Sequence, residues 1–192
     1  MTTFQDVVSL SLVPLIATPL CIGIAYSDIY YLTVFAGALA VGATTNMIKA
    51  VVGGITRDPA FYRPAGAMYC TLFNGRCDPT APAFPSGHVA TATFLTCVFY
   101  ERALDLDHNT DHNTDHNTES DSYRHRHIFR TRARIALGLI ACSYIVAMGY
   151  SRYAKHCHNL LQIVGGACYG LITFYVFTEL WNAMKTRIKM KL

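Results

Sequence analysis

Apolar and polar positions fall into long blocks along this chain, without the short period of a half-buried soluble element. Between Asp6 and Asp28, and again between Asp28 and Lys49, lie about 20 residues with no formal charge. Asn159–Thr178 is a third such run, and Ile135–Ser151, between Arg134 and Arg152, is a shorter one. A hydrocarbon core about 30 Å thick takes roughly 20 helical residues to cross. A helix is favoured there because it satisfies its own backbone hydrogen bonds. The pattern therefore predicts spans over about 7–26, 29–53, 86–104, 135–150 and 158–183. The expected fold class is all-α, a polytopic membrane helix bundle of about five transmembrane helices in a single domain over 1–192. A soluble chain of this length would have to bury all these full-length apolar runs in one small core. The first run lacks a basic leader and a clear small-residue cleavage site, so it is read as a span and not as a signal peptide.

Two polar stretches interrupt the apolar blocks. Gly53–Phe84 is rich in Gly, Pro, Arg and Asp and carries Arg57, Arg63, Cys70, Arg76 and Cys77. Its length suggests a cover over a site more than a connector. The second stretch contains Asp-His-Asn-Thr three times in tandem, Asp107–Thr118. Such low-complexity sequence cannot bury apolar surface, and a disordered cytoplasmic loop is expected over about 105–131.

Composition sharpens this picture. Hydrophobic residues make up 52% and charged residues 15%, and the net charge is +4. The basic residues sit where they flank membrane helices, so a nucleic-acid partner is not expected; the expected partners are membrane lipids. Five spans put alternate loops on opposite faces. Lys49, Ser86–His88, Ser151–Arg152 and His158 then share one face. The other face receives Arg102, the Arg124–Arg134 cluster and the basic tail, ten of the sixteen Lys and Arg residues. The positive-inside rule puts that face and the C-terminal tail in the cytoplasm, and the first face in a lumen or outside the cell. Cys70 and Cys77 lie close together on the non-cytosolic side, where a disulfide between them could persist.

Pro85-Ser86-Gly87-His88 stands where a polar loop meets the apolar run of the third span. A helix starting there presents unpaired N–H groups, partial positive charge, a hydroxyl and an imidazole together. The bland alternative is that Ser86 is only a helix cap. With Lys49, Arg57, Arg63 and Arg152 on the same face, the residues suit a phosphate: Arg pairs bidentately, and Lys adds a point charge. Two imidazoles allow a two-step transfer through a phosphohistidine. No metal-ligand spacing appears on this face, so the simpler reading uses neither a metal nor another cofactor.

In these residues the chain resembles the membrane type-2 phosphatidic acid phosphatases, related in their site to vanadium haloperoxidases. The family motifs are usually K-x6-R-P, P-S-G-H, and S-R-x5-H followed four residues later by Asp. Pro85–His88 matches the second completely, and Ser151–His158 matches the third in spacing. The resemblance implies His158 as nucleophile and His88 as general acid/base. Ser86, Gly87 and Arg152 would hold the phosphate, with Ser151 supporting them. It also implies a lipid phosphate as substrate, such as phosphatidic acid or a polyprenyl diphosphate. The first motif is irregular. Lys49 to Arg57 is one residue too long, while Arg63-Pro64 lies fourteen residues after Lys49. Lys49 with Arg63 is the preferred pair, and Arg57 remains a rival. At the position of the family Asp stands Gln162, one helical turn from His158. Its carbonyl can fix the imidazole tautomer but supplies no negative charge, so weakened catalysis is expected. Two alternatives follow: an inactive pseudo-phosphatase that still binds lipid phosphate, and a small transporter or scaffold. The oligomeric state is not legible.

Overall fold

The computed structural model describes residues 3–67, 70, 77–111 and 120–189, the side chains of 106–111, 120–130 and 188–189 excepted. Arg76, Lys191, the middle of the tandem repeat and the side chains of Arg124, Arg126, Arg130 and Lys189 lie outside the described residues. The chain forms an all-α membrane bundle. Its helices are α1 (Phe4–Leu10), α2 (Leu12–Tyr26), α3 (Ile29–Ile55), α4 (Gly87–Asp111), α5 (Ser120–Ala154) and α6 (Leu160–Lys189), with a 3-10 turn at Pro59–Phe61.

The expected first span is thus two helices, broken at Ser11. A tight turn joins α2 to α3. Ser27 takes a left-handed conformation (φ 51°), and Asp28 caps α3 by accepting from the Tyr30 N–H at 2.9 Å. Into the stretch expected to be disordered, α4 continues as far as Asp111 and α5 starts at Ser120. Extending an existing helix costs far less than nucleating one, so helices held by their apolar segments run on into polar sequence.

Among the described residues four segments are long and apolar enough to cross a membrane: Phe4–Tyr26, Ile29–Ile55, Thr131–Ala154 and Leu160–Arg187. The fifth rod, α4, is the exception, and its position explains why. It stands at the centre and packs against α2, α3, α5 and α6. No side chain from Gly87 to Leu104 is exposed. Val89, Ala90, Thr91, Ala92, Thr93, Phe94, Leu95 and Val98 are buried. A helix enclosed by protein has no lipid to face, so Thr and Ala serve where the outer helices need Leu and Ile. Those outer helices turn Ile24, Ile55, Leu139, Ile140, Val146, Ile172 and Leu180 outward.

Small residues on α6 let it approach α4. A Cβ at Gly170 would lie 2.5 Å from the Ala90 carbonyl oxygen, and one at Gly166 would lie 2.5 Å from the Ser86 carbonyl oxygen. Gly166 and Gly170 are four apart on one face, the spacing that lets membrane helices pack backbone to backbone. This contact sets the start of α4 against the start of α6.

Candidate active site

The site is built where α3 and α5 end and α4 and α6 begin, the arrangement expected from alternating spans. Gly87 is the first residue of α4. A side chain there would meet Thr45 Oγ1 at 3.2 Å and Lys49 Nζ at 3.7 Å. The tight approach is to Thr45, and the Lys49 ammonium lies within ordinary contact distance of the start of α4. Buried Thr45, one turn before Lys49, has no counterpart in the sequence reading; its spacing from Lys49 is the only signal it offered.

Ser86 precedes Gly87, and its carbonyl accepts from the Ala90 N–H at 3.0 Å, so it occupies the cap position. A capping serine normally engages N–H groups of the first turn. The Ser86 Oγ instead is buried with no partner among the described residues, and the residue is 0% exposed. The cap-only alternative therefore does not describe Ser86. Two guanidinium groups show the same condition. Among the described residues Arg63 Nε and Nη1 and Arg152 Nε are buried without partners. Buried polar groups are nearly always satisfied, so several orphaned donors in one place indicate room for an acceptor that the protein does not itself provide.

Arg152 is 1% exposed, and its Nη2 donates to the Cys70 carbonyl at 2.6 Å. Cys70 is in turn linked to Cys157 by a disulfide. This corrects the expected pairing of Cys70 with Cys77. The covering loop folds back onto the turn after α5 and brings Cys70 and Cys157 to a Cα separation of 5.4 Å, within disulfide range. Cys77 keeps its thiol, which accepts from the Cys70 N–H at 3.3 Å. Sequence proximity favoured Cys77, and the long-range return of the loop was not readable from spacing.

His158 sits in the turn between α5 and α6, outside both helices, and is 4% exposed. Its Nδ1 lies 3.0 Å from Gln162 Oε1. Gln162, 0% exposed, uses its two amide hydrogens on the carbonyls of Ala60 at 3.0 Å and Tyr62 at 2.7 Å. Those carbonyls can only accept, so the amide orientation is fixed and Oε1 must be the acceptor for His158. The network thereby assigns the proton to Nδ1 and leaves the Nε2 lone pair free. Burial, then the positive charge of Arg152, pushes the His158 pKa down from 6.5 to about 3, against the weaker opposing effect of Gln162. At neutral pH this imidazole is uncharged.

His88, half-buried in the first turn of α4, lies in the electrostatic field of Arg152, His158, Lys49 and Lys155. Lys49 and Arg63 also act on His158. Arg57 does not join them. It is exposed beyond the end of α3 and contributes none of the leading fields at either imidazole. The reason is the fold of the loop: Tyr62 donates to the Thr56 carbonyl at 2.9 Å, closing a turn that points Arg57 outward and carries Arg63 back. Ser151 is buried, but its hydroxyl is engaged by α1, donating to the Gln5 carbonyl at 2.8 Å. Residues 151 and 152 point about 100° apart on a helix, so Ser151 supports Arg152 from behind instead of facing the pocket with it. His156 is exposed at φ 53°, in the tight turn that ends α5.

The model of the PAP2 superfamily matches residues 29–185. The chain belongs to the PAP2 superfamily. Membership supports a phosphatase-type activity. No curated protein and no solved structure matches the chain. Within the PAP2 match fall the five helical ends and turns that carry Lys49, Arg63, Ser86–His88, Arg152 and His158; α1 and α2 lie before it.

Proposed function

We propose that this PAP2 protein is a membrane lipid phosphatase that hydrolyses the phosphate monoester or diphosphate of an amphiphile through a phosphohistidine. The observation that carries this reading is the set of orphaned buried donors on Ser86, Arg63 and Arg152 beside an imidazole whose Nε2 is free. In this reading the phosphate accepts hydrogen bonds from Arg63, Arg152, Ser86 and the N–H groups at the start of α4, with Lys49 adding charge. His158 Nε2 attacks phosphorus as His88 protonates the leaving alkoxide. His88 then removes a proton from water, which attacks phosphorus and breaks the N–P bond, releasing phosphate and restoring His158. The reaction so written uses no metal ion. A phosphatidic acid-like lipid or a polyprenyl diphosphate suits a site at the end of membrane helices, where the tail remains in the bilayer. The distribution of Lys and Arg favours a site on the extracytoplasmic or lumenal side.

The second reading is a lipid-phosphate binder without turnover, favoured by Gln162, which offers His158 no negative charge. Purified protein assayed for phosphate release from a panel of lipid phosphates separates the readings. Release that disappears in His158→Ala supports the phosphatase. Binding without release supports the binder, and neither supports a transporter or scaffold.

A further inference from the structure

The helix α1 precedes the PAP2 match and was read from sequence only as the start of a span, yet it reaches the phosphate cluster. Its residues Gln5, Asp6 and Ser9 lie on one face, directed at the last turn of α5. Ser9 is the hub. Its Oγ lies 2.6 Å from Ser151 Oγ, 3.4 Å from Arg152 Nη1 and 3.4 Å from Lys155 Nζ. Hydrogen counting fixes the roles. The single hydroxyl hydrogen of Ser151 goes to the Gln5 carbonyl at 2.8 Å, so Ser9 must donate to Ser151. The two lone pairs of Ser9 then accept from Arg152 and Lys155, and the hydroxyl is fully used. Asp6 holds Lys155 from the same face at 2.8 Å. Beneath these contacts Val8 packs in a buried cluster with Leu12, Val89, Ala92 and Met148.

The consequence concerns Arg152. Its guanidinium is gripped at both ends, Nη2 by the Cys70 carbonyl and Nη1 by Ser9, while Nε remains unpartnered and buried. We propose that Ser9 of α1 is a positioning residue that aims the free edge of Arg152 at the phosphate. The inference rests on the reading of this pocket as a phosphate site. It adds that a segment preceding the PAP2 match is part of the binding machinery.

The test measures equilibrium binding of inorganic phosphate to the full-length protein in detergent, for wild type, Arg152→Ala, Ser9→Ala and Ser9→Thr. We expect Ser9→Ala to weaken phosphate binding about tenfold, the low end for a hydrogen bond to a charged group because the contact is long. Ser9→Thr, which keeps the hydroxyl, restores affinity to within about twofold on the same grounds. In turnover assays Ser9→Ala raises KM for the lipid phosphate and leaves kcat nearly unchanged, a split that general loosening of the bundle would not give. Ser9→Cys fills the position but accepts hydrogen bonds weakly, so it reports on the same contact should Ser9→Ala fail to fold. If wild type binds phosphate, Arg152→Ala abolishes binding and Ser9→Ala and Ser9→Cys bind as wild type does, the positioning inference is overturned while the site stands. If wild type binds no phosphate, both are overturned.

Discussion

Replacing Gln162 with Asp separates two functions that the glutamine combines. The wild-type amide accepts from His158 through Oε1 and donates through Nε2 to Ala60 O and Tyr62 O of the covering loop. Aspartate is shorter and has no donor at neutral pH, so both loop bonds are lost. The Ala60 carbonyl keeps a partner, because Asn159 Nδ2 also donates to it at 2.8 Å. Losing that bond costs about 1 kcal/mol, and leaving the partly buried Tyr62 carbonyl without its glutamine donor costs about 1–3 kcal/mol. The expected destabilisation is about 2–4 kcal/mol, or about 4–16 °C in the unfolding midpoint by the scale for domains of this size. Against this, a carboxylate beside His158 favours the imidazolium side of the reaction. An opposite charge at this range shifts an imidazole by about 1–3 pKa units, and each unit is about 1.4 kcal/mol. Catalysis per folded molecule should therefore rise about tenfold or more. The assay is phosphate release well below the unfolding midpoint, paired with thermal unfolding of the same samples. An aspartate variant as stable as wild type would refute the bridging role of the amide. One that is folded but no faster would refute the argument about charge.

Three further outcomes follow. Arg63→Ala removes charge-assisted bonds worth about 1.5–3 kcal/mol, so kcat/KM should fall about 10- to 100-fold, while Arg57→Ala stays within about twofold; equal losses would contradict the placement of the two arginines. Gly170→Leu forces a side chain against the Ala90 carbonyl and Thr93, and should lower stability by about 3 kcal/mol or prevent folding. Gly42→Leu, with nothing within 4 Å of its Cβ position, should leave the unfolding midpoint nearly unchanged. For pH, the His158 pKa is 6.5 when unfolded and about 3 when folded, so between these values the unfolded chain binds a proton that the native site refuses. Stability attributable to His158 is therefore present above about pH 6.5 and is lost as pH falls toward 3. The unfolding midpoint of His158→Asn should decline less steeply over that window than that of wild type, and parallel curves would contradict the shift.

Much of the architecture was legible because charge spacing in a membrane chain is set by bilayer thickness. The four lipid-facing rods and the sharing of one face by Lys49, His88, Arg152 and His158 followed from counting spans. What was not legible depends on contacts between distant residues. Arg63 could not be separated from Arg57 without the turn closed by Tyr62, and Cys157 was not a visible partner for Cys70. Gln162 looked like a weakened aspartate, since nothing in the sequence shows that its amide hydrogens hold the loop at Ala60 and Tyr62. Ser9 lay in an apolar run, where a serine carries no signal until α1 is seen against Arg152. The helix α4 read as an ordinary span, and only its neighbours explain why it tolerates so many threonines.

The central claim is that His158 Nε2 takes the phosphoryl group. It is tested most directly by quenching the purified protein during turnover of a lipid phosphate and locating any phosphoryl group on the chain by mass spectrometry under conditions that preserve phosphohistidine. The account predicts a phosphoryl group on His158, increased in His88→Ala with a lipid diphosphate, whose phosphate leaving group departs without a proton, because hydrolysis of the intermediate is then slowed more than its formation. Phosphate release with no phosphoryl on His158, or with the group on His88 instead, would contradict it.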